Sequence, residues 1–303
     1  MSFTFTKATK KALKGRLAIE GPSGSGKTWT ALTIAQALGK RIAVADTEHK
    51  RALLYADIFE FDHLDVTSFP PDAVIEILGA AANHDVCVID SLSHFWMGTD
   101  GMLEQVDRAA RRTGGGNSFA GWKEMRPAER KMIEAMLAFP GHLIVTMRSK
   151  TEWVIEENDR GKKVPRKIGL KAEQRDGIEY EFDLVGAMDH ENTLVVTKSR
   201  CPALSGAVVS KPGDEFGRTF LGWLESGEAE GPTAIEIRDE ALDPNLSVNE
   251  LKALFEKAEQ YGRAGAAVMT DTGDVTTLGD FIRHKAREAQ ARDRAAQQAE
   301  AGQ

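Results

Sequence analysis

Eight consecutive residues, Gly21-Pro22-Ser23-Gly24-Ser25-Gly26-Lys27-Thr28, fit the pattern G-x-x-x-x-G-K-[ST], a loop built to hold the phosphates of a nucleoside triphosphate. Glycines let the backbone wrap the phosphates with its N–H groups, and a helix N-terminus behind the loop adds partial positive charge. Lys27 is placed to reach the β and γ oxygens, and Thr28 offers a hydroxyl to magnesium. Such a site implies a nucleoside triphosphate with Mg2+, and hydrolysis there needs two further carboxylates. Asp90 closes the apolar run Asp85-Val-Cys-Val-Ile-Asp90, the place for an acidic group that orients the metal. Glu48 closes Arg41-Ile-Ala-Val-Ala-Asp-Thr-Glu48, and the C-terminal edge of a neighbouring strand is where a water-orienting carboxylate belongs; spacing alone leaves open a surface glutamate at a strand end.

The elements around these residues alternate strand and helix. Arg16–Glu20 reads as a short buried strand before the loop and Trp29–Leu38, stopped by Gly39, as the helix after it. Further strands are expected at 41–46, 85–90 and 142–147, with helices over 71–82 and 127–139, the second beginning at Pro127. This pattern predicts an α/β fold with a mainly parallel sheet. Beyond residue 150 the pattern changes to two hairpins, with turns at Asn158-Asp-Arg-Gly161 and Asp189-His-Glu-Asn192, read as an antiparallel extension. From about Glu225 the chain turns acidic and Gly/Pro-containing, and Ser247-x-x-Glu250 is a capping box opening a helix that Gly262 stops. A last helix is expected from about Leu278, its end a solvated tail. The expected organisation is a basic N-terminal segment (1–15), a core (16–225), a linker (226–246) and a small helical C-terminal region (247–303).

Composition narrows the class. The 303 residues are 42% hydrophobic and 28% charged, ordinary globular values, with no membrane-length apolar run and no signal-peptide core. A cytoplasmic protein is expected. Cys87 and Cys201 lack metal-ligand spacing and read as structural. A net charge of −7 argues against a broad nucleic-acid-coating surface while leaving room for a local basic groove.

Several segments together resemble RecA-type ATPases. Asp46-Thr47-Glu48-His49 resembles the Asp-Ala-Glu-His segment that carries the catalytic glutamate in RecA, and Asp85–Ser91 the RecA-type Walker B strand. Val196-Thr-Lys198-Ser-Arg200 resembles the basic signature of RecA and of hexameric replicative helicases, which implies that Lys198 and Arg200 reach the γ-phosphate held by a neighbouring subunit. Leu143–Lys150, Gly161–Gly169 and Gln174–Phe182 are similar to phage-encoded RecA-core ATPases of the Sak type, and the likeness extends over about residues 7–225. The resemblance implies a RecA-like core, a homo-oligomer (ring or filament) and action on single-stranded DNA in recombination, annealing or replication, with a single-stranded-DNA-binding protein as a further partner. Thr146-x-Arg148 departs from bacterial RecA, which has an Asn-Gln pair there, and the chain lacks room for RecA's full flanking domains. Phe5-x-x-Ala8 fits a tether pattern by which some recombinases join subunits.

Two basic segments are candidates for single-stranded DNA. Arg108, Arg111 and Arg112 precede Gly114–Gly116, where RecA-like proteins carry a first DNA loop; Arg160, Lys162, Lys163, Arg166 and Lys167 form the second, with Trp153 nearby. Two rival readings stand beside the DNA-dependent ATPase: a P-loop small-molecule phosphotransferase, and a nucleotide-gated loader or scaffold whose partner contacts run through residues 233–303.

Overall fold

The computed structural model describes residues 7–112, 117–157, 163–228 and 231–301, with side chains described outside 151–171 and 295–301. In chain order the elements are β1 (Arg16–Gly21), α1 (Lys27–Leu38), β2 (Ile42–Asp46), β3 (Asp62–Asp65), α2 (Pro71–Ala80), β4 (Val86–Asp90), α3 (Ser93–Met97), α4 (Met102–Arg112) and α5 (Ser118–Ala138). There follow β5 (His142–Glu157), β6 (Lys163–Ala172), β7 (Leu184–Met188), β8 (Thr193–Ser199), β9 (Val208–Ser210), α6 (Asp214–Glu225), α7 (Ala234–Ala241), α8 (Val248–Gln260), β10 (Ala267–Met269), β11 (Val275–Thr277) and α9 (Leu278–Ala301).

The chain divides into a larger unit, residues 14–78 and 84–224, and a smaller one, 1–13, 79–83 and 225–303. In the larger unit the sheet order is β3-β2-β4-β5-β1-β7-β8-β9. It is parallel from β3 to β7, and β8 and β9 extend it antiparallel. This is the α/β class expected. The central strands are buried on both faces: Leu17, Ala18 and Ile19 of β1 and all of β4 are inaccessible, as strands covered by helices on both sides must be. Register then sets the chemistry, because it aligns the C-terminal strand ends along one edge: Gly21 lies opposite Arg148 and Asp90 opposite Asp46.

Four expectations change. β3 went unseen because Asp62-His-Leu-Asp is too polar and short to read as a strand, yet it pairs with β2 along its length. The helix expected from Pro127 begins at Ser118, where the Asn117 side chain accepts from the Phe119 N–H, and Pro127 lies within it. Gly121 permits this: a Cβ there would stand 2.3 Å from the Val106 carbonyl, so α5 lies close on α4, burying Met125 with Met102 and Val106. That packing offsets the proline's cost of about 3 kcal/mol. The expected strand at 142–147 does not stop there. β5 runs on to Glu157 and changes partner, from β1 up to Arg148 to β6 from Ser149 onward. In the smaller unit, the stretch read as a linker contains α7, capped by a Thr233–Glu236 capping box. The expected Ser247–Glu250 box opens α8, and Ile237, Leu251, Leu254, Val268, Phe281 and Ile282 form the core of this unit.

Candidate nucleotide site

The phosphate-binding loop is shaped by its glycines. Gly24 (φ 78°) and Gly26 (φ 84°) occupy left-handed conformations that cost a residue without a side chain nothing. Gly26 stands at the N-terminus of α1, which has no side-chain cap and no acidic residue in its first turn, so the first N–H groups are left to an outside anion. Ser25 Oγ is buried without a hydrogen-bond partner, packed against Gly21 at the start of the loop. Lys27 Nζ donates to the Pro22 carbonyl at 2.8 Å, folding the lysine across the loop. Burial lowers its pKa, while Asp90 and Glu48 pull the other way and Arg148 adds to the lowering. These features fit a triphosphate.

Across from the loop, the strand ends converge on Asp90, buried at 4% exposure. The Thr28 hydroxyl donates to its Oδ2 at 2.5 Å and the Thr146 hydroxyl to its Oδ1. Burial raises the Asp90 pKa, the two hydroxyls oppose that, and Glu48 and Asp46 reinforce it. A divalent cation is the natural counter-charge for this carboxylate, and Thr28, already on it, is the hydroxyl that would share the metal. Among the described residues no cluster of three His, Cys, Asp or Glu side chains could hold a metal unaided.

Glu48 is carried beyond the end of β2 by a buried carboxylate. Asp46 Oδ1 accepts the Glu48 N–H at 2.7 Å and Oδ2 the Ala52 N–H at 2.8 Å, which bends the chain through His49 (φ 58°) and Lys50 (φ 65°). The buried Thr47 hydroxyl ties this end of β2 to β4, donating to the Asp90 carbonyl at 3.0 Å and accepting the Ser91 N–H at 2.7 Å. Glu48 Oε1 receives both Nη2 (2.9 Å) and Nε (3.3 Å) of Arg148. Thr146 and Arg148 were noted in the sequence only as departures from a motif. Two apart on β5, they share one face and serve Asp90 and Glu48 in turn.

Lys198 and Arg200 sit elsewhere. β8 is two strands from β1, and Lys198 Nζ donates to the carbonyls of Glu179 (2.8 Å), Tyr180 (2.9 Å) and Phe182 (2.7 Å). Arg200 pairs with Asp183 at 3.2 Å. Within one subunit both cations are engaged away from the loop. Arg108, Arg111 and Arg112 end helix α4 and do not form a loop. Arg108 pairs with Asp100 and Arg112 with Glu124, and the three arginines share a cleft of about 760 Å³ with Asp100 and Glu104. Lys163, Arg166 and Lys167 lie on β6 with their side chains, like that of Trp153, outside the described set; Arg160, Lys162 and Phe5 lie outside the described residues altogether.

Residues 13–207, from just before β1 to just before β9, match the model of a family described as an AAA domain. The chain belongs to this AAA domain family. Its core is a nucleotide-binding P-loop ATPase domain, and loop, strand ends and cations all fall within the matched AAA domain apart from the chain beyond Ala207. No curated protein matches the chain. A crystal structure of the RadB recombinase overlaps 64% of this chain and 85% of its own at 16% identity and a TM-score of 0.38, too loose an overlap to speak to function.

Proposed function

We propose that this AAA domain protein is a Mg2+-dependent ATPase of the RecA-like type that binds single-stranded DNA as a homo-oligomer, in phage recombination, annealing or replication in the host cytoplasm. The hydrolytic part of the reading is supported by one observation: the Thr28 hydroxyl of the loop donates to the buried carboxylate of Asp90, 62 residues away, so the hydroxyl and the carboxylate that would share a metal already touch. Backbone N–H groups of the loop and Lys27 would hold the phosphates. Mg2+ held by Thr28 and, through water, by Asp90 would neutralise charge on the phosphate oxygens. Glu48, on the same strand edge, would orient a water and take its proton, and Arg148 holds that carboxylate in the free protein.

The DNA-binding part rests on the β5–β6 ribbon, whose sequence carries Lys163, Arg166 and Lys167 and whose first strand continues without a break from Arg148. A cation at that edge, on the strand whose partner β6 carries the basic residues, supports coupling between hydrolysis and DNA. Lys198 and Arg200 would act on a neighbour's nucleotide only by leaving Phe182 and Asp183, an exchange that assembly would have to drive.

Turnover with and without single-stranded DNA tests the whole. DNA-stimulated ATP hydrolysis, lost in Glu48→Gln, supports the proposal. Phosphate transfer to a small acceptor, or tight ATP binding with neither turnover nor DNA binding, would refute it in favour of a phosphotransferase or a nucleotide-gated scaffold.

A further inference from the structure

The turn between β7 and β8 is more than a connection, because register delivers it onto the phosphate-binding loop. β7 runs parallel to β1, with Ala187 opposite Glu20, so the chain leaving β7 emerges beside the chain leaving β1. A Cβ on Gly21 would stand 2.8 Å from the Met188 carbonyl, and one on Gly26 would stand 2.9 Å from the Asn192 amide nitrogen. The turn therefore lies against the loop at both of its ends.

At this contact Asn192 Nδ2 donates to the Ser25 carbonyl at 3.0 Å. The amide orientation is not ambiguous: a carbonyl is only an acceptor, so the NH2 end must face it. Asn192 itself is held firmly. Asp189 Oδ1 accepts the N–H groups of Glu191 and Thr193, both at 2.9 Å, and the Asn192 carbonyl accepts the Lys211 N–H at 2.9 Å. Its backbone is left-handed at φ 61°, a conformation that asparagine and glycine tolerate best.

The consequence follows from peptide planarity. In a trans peptide the carbonyl of one residue and the N–H of the next point in opposite directions. Anchoring the Ser25 carbonyl outward on Asn192 aims the Gly26 N–H the other way, into the concavity of the loop. We propose that Asn192 is a positioning residue for nucleotide binding, an outside brace that fixes the Ser25–Gly26 peptide with its N–H toward the phosphates. The idea rests on the nucleotide reading of the loop and adds a residue that the loop motif does not contain.

Two variants test it by titration of MgADP, alongside wild type and Lys27→Ala. Asn192→Gly keeps the left-handed backbone and removes the amide; Asn192→Asp keeps the shape but replaces the donor with a carboxylate that repels the Ser25 carbonyl. Loss of one neutral hydrogen bond should weaken MgADP binding about 3- to 10-fold in Asn192→Gly, with a larger loss in Asn192→Asp. The unliganded Tm should fall by no more than the few degrees that one lost hydrogen bond allows, and the KM for ATP should rise more than kcat falls. MgADP affinity within twofold of wild type in both variants overturns the proposal. So does weakened binding that comes with an unliganded Tm lowered by about 10 °C or more, beyond what one hydrogen bond is worth, which would mark Asn192 as support for the fold. If wild type and Lys27→Ala alike fail to bind MgADP, the nucleotide reading itself falls and the brace falls with it.

Discussion

Removing the Arg148 side chain should make the protein a faster ATPase when DNA is absent, and by a bounded amount. In the free protein the guanidinium gives two donors to one Glu48 oxygen, at 2.9 and 3.3 Å, with 44% of the arginine and 32% of the glutamate side chain exposed. Pairs as accessible as this are worth about 0.2–1 kcal/mol, since water and salt screen them. The hold on Glu48 is thus a restraint that about 1 kcal/mol can release, equivalent to no more than about fivefold in the population of free carboxylate. Arg148→Ala should therefore raise DNA-independent kcat by up to about fivefold, leave the Tm nearly unchanged, and have no such effect when combined with Glu48→Gln. Steady-state phosphate release with saturating MgATP reads this directly. A tenfold or greater fall in kcat at unchanged nucleotide affinity would refute the restraint, because it would mean that the guanidinium serves the transition state.

Three more outcomes are expected. Lys27→Ala should lose tight nucleotide binding while Glu48→Gln binds normally and turns over at least a hundredfold more slowly, as ground-state and transition-state contacts respectively should behave; equilibrium binding beside single-turnover hydrolysis distinguishes them. His142 is buried with Nδ1 accepting the Gly15 N–H at 3.0 Å, and burial, with Lys14 and Arg16 adding to it, pushes its pKa down to about 3. The unfolded chain takes that proton first as pH falls, so the stability is complete above about pH 6.5 and drains toward pH 3, on the order of 2 kcal/mol by pH 5; denaturant titrations of His142→Gln should show a flatter acid limb than wild type. Neutralising Lys162, Lys163, Arg166 and Lys167 together should reduce the salt dependence of single-stranded DNA binding, by about 0.7 on a log-log plot for each phosphate that the protein then leaves unneutralised, and an unchanged slope would move the DNA site elsewhere.

What the sequence disclosed about the site and what it hid divide along one physical line. The phosphate loop was legible because its chemistry needs contiguous residues: the left-handed positions at Gly24 and Gly26, the lysine and the threonine are all set within eight residues. Asp90 and Glu48 drew notice in the sequence as carboxylates closing apolar runs, and both stand at the strand ends facing the loop; that Asp46 holds the Glu48 N–H could be seen only in the structure. Strand β3 and the early start of α5 were hidden because tertiary contacts outweighed local composition, β3 by pairing with β2 and α5 by the close approach at Gly121.

The contacts that Arg148 and Asn192 make here were hidden for a different reason. Arg148 meets Glu48 across 100 residues and Asn192 meets Ser25 across 167, and neither pairing has a spacing to read. Both follow from strand order: β5 and β7 flank β1 on its two sides, so the residue where β5 parts from β1 and the turn that leaves the end of β7 both lie beside the loop. Lys198 illustrates the converse. Its alternation with Arg200 suggests a shared face turned toward a partner, whereas in the structure the ammonium is spent on three carbonyls of its own chain. A role on a neighbour's nucleotide then requires that assembly replace those three bonds with contacts of equal worth. Mixing Lys198→Ala, and separately Arg200→Ala, with Lys27→Ala subunits tests each cation: if subunits demonstrably mix and no hydrolysis returns at the interfaces that pair an intact loop with an intact cation, that cation belongs to the fold alone.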